Sequence, residues 1–269
     1  FACGGLSRVL DIVARTVYMQ QIEIQEGWGM YSTFIAPEDP SLDSVLEGVV
    51  DNLTIVKDEI GNVYWPALSI NTIGSLIDGE GYAVKATTVS MLEISGDLVS
   101  SDLELYMPAG WSFIGYLHQE SADAAGMMSS LVDADNFIIM KDGAGNVYWP
   151  LIGVNNIGDG SGMMIPGQGF AVKVGEQSTF SYPNVTDAQR IGSPSPTYPL
   201  YNYSKALNTG ENMIIGIPLN AWDNIPEIGD EIAAYNSKGS LVGSVTFNGE
   251  STALTVWGDD PTTDFIEGL

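Results

Sequence analysis

Few residues of this 269-residue sequence have side chains suited to catalysis. His118 is the single histidine and Cys3 is the single cysteine. A histidine without a cysteine partner argues against Cys–His catalysis, and a metal site of several histidines is excluded. No Gly-X-Ser-X-Gly segment marks a serine nucleophile. We therefore expect no enzyme activity, and we interpret His118 as an exposed residue at the end of a strand.

Acidic loops are the remaining candidates for holding a cofactor. Carboxylate oxygens are the ligands that Ca²⁺ prefers, and three loops are rich in Asp and Gly: DADN (133–136), GDGSG (158–162) and WGDDPTTD (257–264). None has the ligand spacing of an EF-hand, and Asp and Gly in turns explain each loop equally well. Ca²⁺ is the one candidate cofactor. Its candidate ligands are Asp133, Asp135, Asp159, Asp259 and Asp260.

The hexapeptide GNVYWP occurs at 61–66 and again at 145–150. One hypothesis is an aromatic platform for sugar rings, because aromatic side chains offer a large apolar face with a polar edge. The candidate ligand-binding residues are Tyr64, Trp65, Tyr148 and Trp149. The alternative is structural. Gly and Asn between two β-rich runs favour a hairpin, and strand alternation turns one aromatic residue of each pair inward.

Both hexapeptides belong to a longer repeat. KDEIGNVYWP (57–66) and KDGAGNVYWP (141–150) are identical at eight of ten positions. A Gly-Trp pair precedes each copy, and GEGYAVK or GQGFAVK follows it in the same order. The period exceeds the ~20–50 residues of solenoid repeats. Each copy is therefore predicted to be a small globular domain.

Each copy is predicted to be β-rich with one short helix. Apolar residues have helical spacing over 40–50, after Ser41 as a candidate N-cap, and over 121–132, after Ser121. The other segments of each copy alternate as strands do, and the tryptophan of each Gly-Trp pair is predicted to face inward. We expect a mainly β protein of the α+β type.

Composition divides the chain into five parts. The run RIGSPSPTYP indicates a stiff linker, and the alternating apolar residues after it indicate an all-β, sandwich-like domain. The predicted parts are an N-terminal lead segment (1–21), two repeat segments (22–101 and 102–182), the linker (183–199) and the last domain (200–269). Because the chain opens on Phe1 and no closing strand follows FIEGL, we expect a fragment whose last domain is incomplete.

The charge balance excludes two classes of partner. Nine basic residues face 34 acidic ones, which gives a formal net charge of −25. Such a chain repels nucleic acid and anionic lipid, and its apolar runs are shorter than the ~20 residues of a membrane helix. We therefore expect neither nucleic-acid binding nor membrane insertion. A surface of this charge suits a saline or extracellular setting.

The motif set resembles the tandem units of large secreted surface proteins of Bacteroidota, many of them exported by the type IX system. In the first copy the resemblance is carried by Gly27–Trp28, Ile55–Asp58, Tyr64, Asn71 and Gly79–Lys85, and the second copy matches at the corresponding places. The segment that begins TGENMIIGIP resembles a module that often follows these units. The resemblance covers residues 22–265. It implies a secreted, cell-surface location and no particular reaction.

Three function classes remain. The favoured class is a non-catalytic structural or adhesive module of a surface protein or filament, whose partners are copies of itself or other surface proteins. The alternative is a carbohydrate-binding portion of a secreted protein, with glycans as partners. The third is an enzyme with two carboxylates ~5–10 Å apart in a cleft between the repeats.

Strand donation between subunits is a refinement of the favoured class. The run RTVYMQQIEI resembles a free strand, and the last domain lacks a closing one, so β-augmentation would join the two. The predicted subunit contacts are Val17, Tyr18, Met19, Ile22 and Ile24.

Overall fold

The computed structural model of the chain describes residues 15–158, 160–188, 196–263, 265–266 and 268–269. This part is mostly β-structure, with 41% of residues in strands, 10% in helices and several open sheets. The prediction of a mainly β protein is confirmed. Cys3, the candidate ligand Asp159 and residues 189–195 of the predicted linker lie outside the described residues.

Eight strands and one short helix form from the residues up to 101. The strands are β1 (Tyr18–Ile24), β2 (Gly27–Ser32), β3 (Ile35–Pro37), β4 (Leu53–Lys57), β5 (Val63–Trp65), β6 (Ile70–Asn71), β7 (Gly81–Ala86) and β8 (Ser90–Leu98). Helix α1 (Leu42–Val45) lies between β3 and β4.

Nine strands and two short helices form from the second repeat segment. The strands are β9 (Leu105–Met107), β10 (Gly110–Gly115), β11 (Ala122–Asp123), β12 (Phe137–Asp142), β13 (Val147–Trp149), β14 (Val154–Asn155), β15 (Met163–Met164), β16 (Gly169–Val174) and β17 (Ser178–Phe180). Helices α2 (Ala124–Met127) and α3 (Ser129–Asp133) lie between β11 and β12.

The predicted helices are shorter than expected and begin differently. Ser41 precedes α1 but makes no capping hydrogen bond with its side chain. In the second repeat segment the N-cap is Asp123 and not Ser121, because the Asp123 carboxylate accepts a hydrogen bond from the Gly126 N–H at 3.1 Å. The apolar positions of both segments still reach the core, since Leu42 and Met127 are fully buried.

The two repeat segments form five-stranded sheets with corresponding strand orders. The first sheet has the order β2-β7-β4-β5-β6, and the second has the order β10-β16-β12-β13-β14. All pairings within both sheets are antiparallel. Each sheet packs one face on its own cluster of buried apolar residues. The opposite face of each sheet carries the tryptophan of the Gly-Trp pair.

The hexapeptide repeats because a buried or half-buried aspartate fixes the same hairpin twice. In the hairpin of β4 and β5, the Asp58 carboxylate accepts hydrogen bonds from the backbone N–H and the side-chain amide of Asn62, both at 2.7 Å. In the hairpin of β12 and β13, Asp142 accepts the same two bonds from Asn146, both at 2.9 Å. Side-chain acceptors of this kind replace backbone pairing in turns. Both copies of the hexapeptide therefore lie in hairpins, as the structural interpretation of the motif predicts.

The first strand of the fold crosses the boundary between the predicted lead segment (1–21) and the first repeat segment. β1 begins at Tyr18 and pairs along its whole length with β8, which pairs on its other side with β3. Ile22 and Ile24 are buried in the core of the first repeat segment. The expectation that residues 15–24 are donated to another subunit was therefore wrong for this chain, because β1 already pairs with β8 of the same chain.

The two repeat segments meet through reciprocal contacts. The Ser32 N–H donates to the Gly167 carbonyl at 2.9 Å, and the Gly115 N–H donates to the Gly79 carbonyl at 2.8 Å. Ser32 and Gly115 are 83 residues apart, and Gly79 and Gly167 are 88 residues apart, which are the offsets of the sequence repeat. Each segment thus presents the same surface to the other, as in an isologous dimer interface.

Glycine is required where the two sheets touch. A Cβ atom added to Gly81 would lie 2.6 Å from the Ile114 carbonyl oxygen, and one added to Gly169 would lie 2.6 Å from the Tyr31 carbonyl oxygen. These obstacles are backbone atoms, so no side-chain movement relieves the clash. The glycines of GEGYAVK and GQGFAVK therefore set how closely the two sheets approach.

The reciprocal contact predicts a stability difference between two glycine substitutions. We expect Gly81→Ala to lower the free energy of unfolding by about 1–3 kcal/mol, as overpacking does. Gly29→Ala is the matched control in β2, since a Cβ there meets no atom within 4 Å. Urea denaturation of both variants measures the difference. Equal stability of the two variants would contradict the proposed close contact.

The third segment forms four strands in two pairs. They are β18 (Asn212–Ile217), β19 (Glu231–Tyr235), β20 (Leu241–Thr246) and β21 (Thr252–Trp257). β18 pairs with β21, and β19 pairs with β20. Val242, Leu254 and Val256 form a small buried cluster between the pairs.

Part of the predicted linker packs on the second repeat segment. Ala188 is buried in the core of that segment. A Cβ added to Gly126 would lie 2.8 Å from the Cα of Ala188. The predicted stiff linker over 183–199 therefore contacts the second repeat segment at Ala188.

Candidate ligand-binding face

One face of the first sheet carries a tryptophan between two lysines. Trp28 of β2 is opposite Lys85 of β7, and Lys57 of β4 projects from the same face. Lys57 Nζ lies 4.5 Å and Lys85 Nζ lies 5.9 Å from the centre of the indole ring. Ammonium groups within about 6 Å of an indole face are attracted by its quadrupole. Trp28, Lys57 and Lys85 are called the first cradle below.

The second sheet carries the same arrangement at the corresponding positions. Trp111 of β10 is opposite Lys173 of β16, and Lys141 of β12 projects from the same face. Lys141 Nζ lies 4.6 Å and Lys173 Nζ lies 5.8 Å from the indole centre. Burial lowers the pKa of Lys141, although the charge of Glu211 opposes this effect. Trp111, Lys141 and Lys173 are called the second cradle.

The third segment occupies the first cradle. The Trp28 Nε1–H donates to Asp260 Oδ2 at 2.9 Å, and Lys85 Nζ donates to the same oxygen at 2.8 Å. Lys85 also donates to Thr262 Oγ1 at 2.7 Å. The backbone of Gly210 lies on the indole, because a Cβ there would be 2.6 Å from a ring carbon. Trp28 is consequently only 6% exposed.

The cradle controls the ionisation of Asp260. Burial alone would raise the pKa of this carboxyl, but hydrogen bonds from Lys85, Thr262 and Trp28 outweigh it and lower the pKa to about 2. The charged form is therefore the one that the fold stabilises.

Further contacts join the third segment to both sheets. The Asn208 side-chain amide donates to the Trp28 carbonyl at 3.1 Å and to the Gly143 carbonyl at 2.9 Å. Lys141 Nζ donates to Asn212 Oδ1 at 2.9 Å. The Thr255 hydroxyl donates to the Gly145 carbonyl at 2.7 Å, which anchors β21 on the second hairpin. The third segment thus bridges the two repeat segments.

A cavity of about 530 Å³ lies under this bridge. Its lining includes Trp28, Trp111, Lys57 and Lys141.

Four acidic residues also line this cavity, which bears on the enzyme alternative. They are Asp58, Glu59, Asp142 and Glu211. The two aspartates hold their own hairpins, and Glu59 accepts a hydrogen bond from the Phe113 N–H at 3.3 Å. Burial raises the pKa of Glu59 and that of Asp142. Glu211 Oε1 lies 3.8 Å from Lys57 Nζ. Each of the four carboxylates therefore has a partner within the fold.

The aromatic residues of the hexapeptides do not form a row on the surface. Tyr64 and Tyr148 are buried in the cores of their segments. The Trp149 ring packs against the third segment, because a Cβ on Gly216 would lie 2.7 Å from it. Trp65 is half-buried. The predicted platform of four residues is therefore reduced to Trp65.

The predicted calcium ligands are not brought together. The described residues contain no group of three or more His, Cys, Asp or Glu side chains that could hold a metal ion. Asp133, Asp135 and Asp259 are exposed. The interpretation of Asp260 as a calcium ligand was wrong, because its carboxylate is bound by Lys85, Thr262 and Trp28.

His118 is buried and not exposed as expected. It is 9% exposed and lies between the rings of Tyr116 and Tyr182, at centroid distances of 5.6 and 5.9 Å. Burial lowers the pKa of His118, although a backbone hydrogen bond with Pro183 and the charge of Glu120 oppose this effect. Its surroundings are those of an aromatic core residue.

Three of the predicted subunit contacts remain accessible. Val17 is 61% and Met19 is 66% exposed, and Tyr18 is 39% exposed. Ile22 and Ile24 are core residues, so they cannot contact a partner.

The sequence interpretation missed the two cradles. Trp28 faces the third segment and not the core of its own repeat segment, while Trp111 is 36% exposed. The signal was present in the repeat, since a Trp, a Lys-Asp pair and a Val-Lys pair recur in the same order. Four of the nine basic residues of the chain are cradle lysines.

No family model, curated protein or solved structure matches the chain. Among the described residues, no helix has the length and apolar character needed to cross a membrane.

The first cradle predicts a pH-dependent stability difference. Asp260 has a lower pKa in the folded chain, about 2, than the ordinary value of 3.8. Its stabilising effect is therefore present above pH ~4 and is lost as the pH falls to ~2. We expect Asp260→Asn to lower the free energy of unfolding by about 2 kcal/mol at pH 7.

Urea denaturation of wild type and Asp260→Asn between pH 2 and pH 7 measures this effect. Asp223→Asn is the matched control, because Asp223 is an exposed aspartate of the same third segment. A stability difference that stays constant down to pH 2 would show that the carboxylate charge is not the stabilising feature.

Proposed function

We propose that the chain is a non-catalytic structural or adhesive module of a secreted bacterial surface protein or filament. The observation that carries the proposal is the bridge made by the third segment. It binds the first cradle through Asp260 and the second sheet through Asn212 and Thr255. A bridge of this kind restrains the movement of two neighbouring units, which suits a load-bearing or spacing role.

Duplication of one unit is part of the proposal. The corresponding strand orders of the two sheets and the reciprocal contacts of Ser32 and Gly115 support two homologous repeat domains. The third segment supplies a separate all-β domain with two packed strand pairs. Its partners are copies of the same protein or other surface proteins.

The sequence resemblance to Bacteroidota surface proteins supports the proposed location. The net charge of −25 suits an exposed surface in a saline medium. Fixation and antibody labelling of intact source cells, followed by electron microscopy, tests the location. We expect label on the cell surface or on filaments. Label that appears only after the cells are lysed would contradict the proposal.

Carbohydrate binding is the alternative function, and Trp65 is the one hexapeptide aromatic left to support it. A glycan array distinguishes the two functions, with Trp65→Ala as the test variant and the wild type as its reference. We expect no glycan to depend on Trp65. Glycan binding that Trp65→Ala abolishes while the fold persists would favour the alternative.

A further inference from the structure

The two cradles have the same residue types in the same geometry but different occupancy. In the first, the carboxylate of Asp260 closes on the Trp28 Nε1–H and the Lys85 ammonium. In the second, Lys141 donates a hydrogen bond to Asn212, whereas no such bond joins Trp111 or Lys173 to the described residues of the third segment. Trp111 is 36% exposed, whereas Trp28 is 6% exposed.

Lys173 has no ion pair or hydrogen bond among the described residues. Its counterpart Lys85 makes two hydrogen bonds to the third segment. Lys173 is half-buried beside the Trp111 ring, with its ammonium 5.8 Å from the ring centre. A cation in this position is partly desolvated, so an anion binds it more strongly than it would bind a fully hydrated lysine.

We propose that Trp111 and Lys173 form a docking site for an Asp-X-Thr loop of another polypeptide. The first cradle shows the expected mode of binding. The carboxylate accepts from the indole N–H and the ammonium, and the threonine hydroxyl accepts a second hydrogen bond from the ammonium. The loop Asp260–Pro261–Thr262 makes these contacts in the same chain.

The occupant comes from a different polypeptide. The chain's own Asp260 loop is held in the first cradle, so it cannot fill the second one at the same time. Charge also selects the occupant, because the cradles hold four of the nine basic residues of a chain with a net charge of −25. The Lys173 ammonium beside Trp111 offers the carboxylate of an acidic loop a cationic partner on a chain with few basic residues. This inference does not depend on the proposed cell-surface location.

The probe for this site is a peptide with the sequence of residues 258–263, GDDPTT, added to the intact chain. The readout is the indole N–H resonance of Trp111 in a ¹⁵N-labelled sample, assigned with Trp111→Phe. We expect a saturable shift of the Trp111 signal while the Trp28 signal stays in place. We also expect at least fivefold weaker binding when the second aspartate of the peptide is replaced by asparagine.

Lys173→Met is the test variant, and Lys238→Met is its control. Lys238 lies in the exposed turn between β19 and β20, so its loss changes the net charge equally without touching the cradle. Lys173→Met abolishes the Trp111 shift if the proposal is correct, and Lys238→Met preserves it. The peptide with asparagine provides the same test on wild-type protein if Lys173→Met fails to fold.

Three results would overturn the proposal. The first is the absence of a Trp111 shift at 10 mM peptide, a concentration ~10-fold above a millimolar dissociation constant. The second is a shift of equal size in Lys173→Met. The third is equal or stronger binding of acetate or glucuronate, which would make the site a general carboxylate or sugar-acid site.

Discussion

The hydrogen bonds from Lys85 and Trp28 to Asp260 hold the third segment of the chain on the first sheet. The carboxylate is 5% exposed, and a buried charge without a partner costs several kcal/mol. The loop that carries Asp260 must therefore stay on the first sheet. Asn208 donates a hydrogen bond to the Trp28 carbonyl, and Gly210 packs on the Trp28 indole. The position of β18 and β21 over both sheets depends on this anchor.

Close approach of the backbones is the second constraint. Gly81 and Gly169 let the two sheets touch through reciprocal contacts, so each sheet turns its tryptophan face to the same side. The third segment alone covers this doubled face. That segment places the carboxylate of Asp260 on the first cradle and the side-chain amide of Asn212 on the second. The different exposure of Trp28 and Trp111 follows from this mismatch between a duplicated surface and a single cover.

Local features of the fold were predictable from the sequence. Alternation indicated the strands, and Gly-Asn marked both hairpins, because turn chemistry depends on neighbouring residues. The roles of Asp260 and Trp28 were not predictable in this way. Their partners lie 175 and 232 residues away, and alternation tells which residues share a face without telling what covers it. Asp260 resembled a calcium ligand only because its loop is acidic. His118 likewise becomes a core residue through Tyr182, which lies far along the chain.

A double-mutant cycle between Asp260→Asn and Lys85→Met tests the central claim most directly. Urea denaturation at pH 7 gives the free energy of unfolding of the wild type, both single variants and the double variant. The structure requires a coupling energy of about 2 kcal/mol, since the two side chains are in direct contact. The same cycle with Lys238→Met in place of Lys85→Met should give a value near zero. A coupling below about 0.5 kcal/mol, the scatter expected of independent sites, would contradict the claim that this contact holds the third segment on the first sheet.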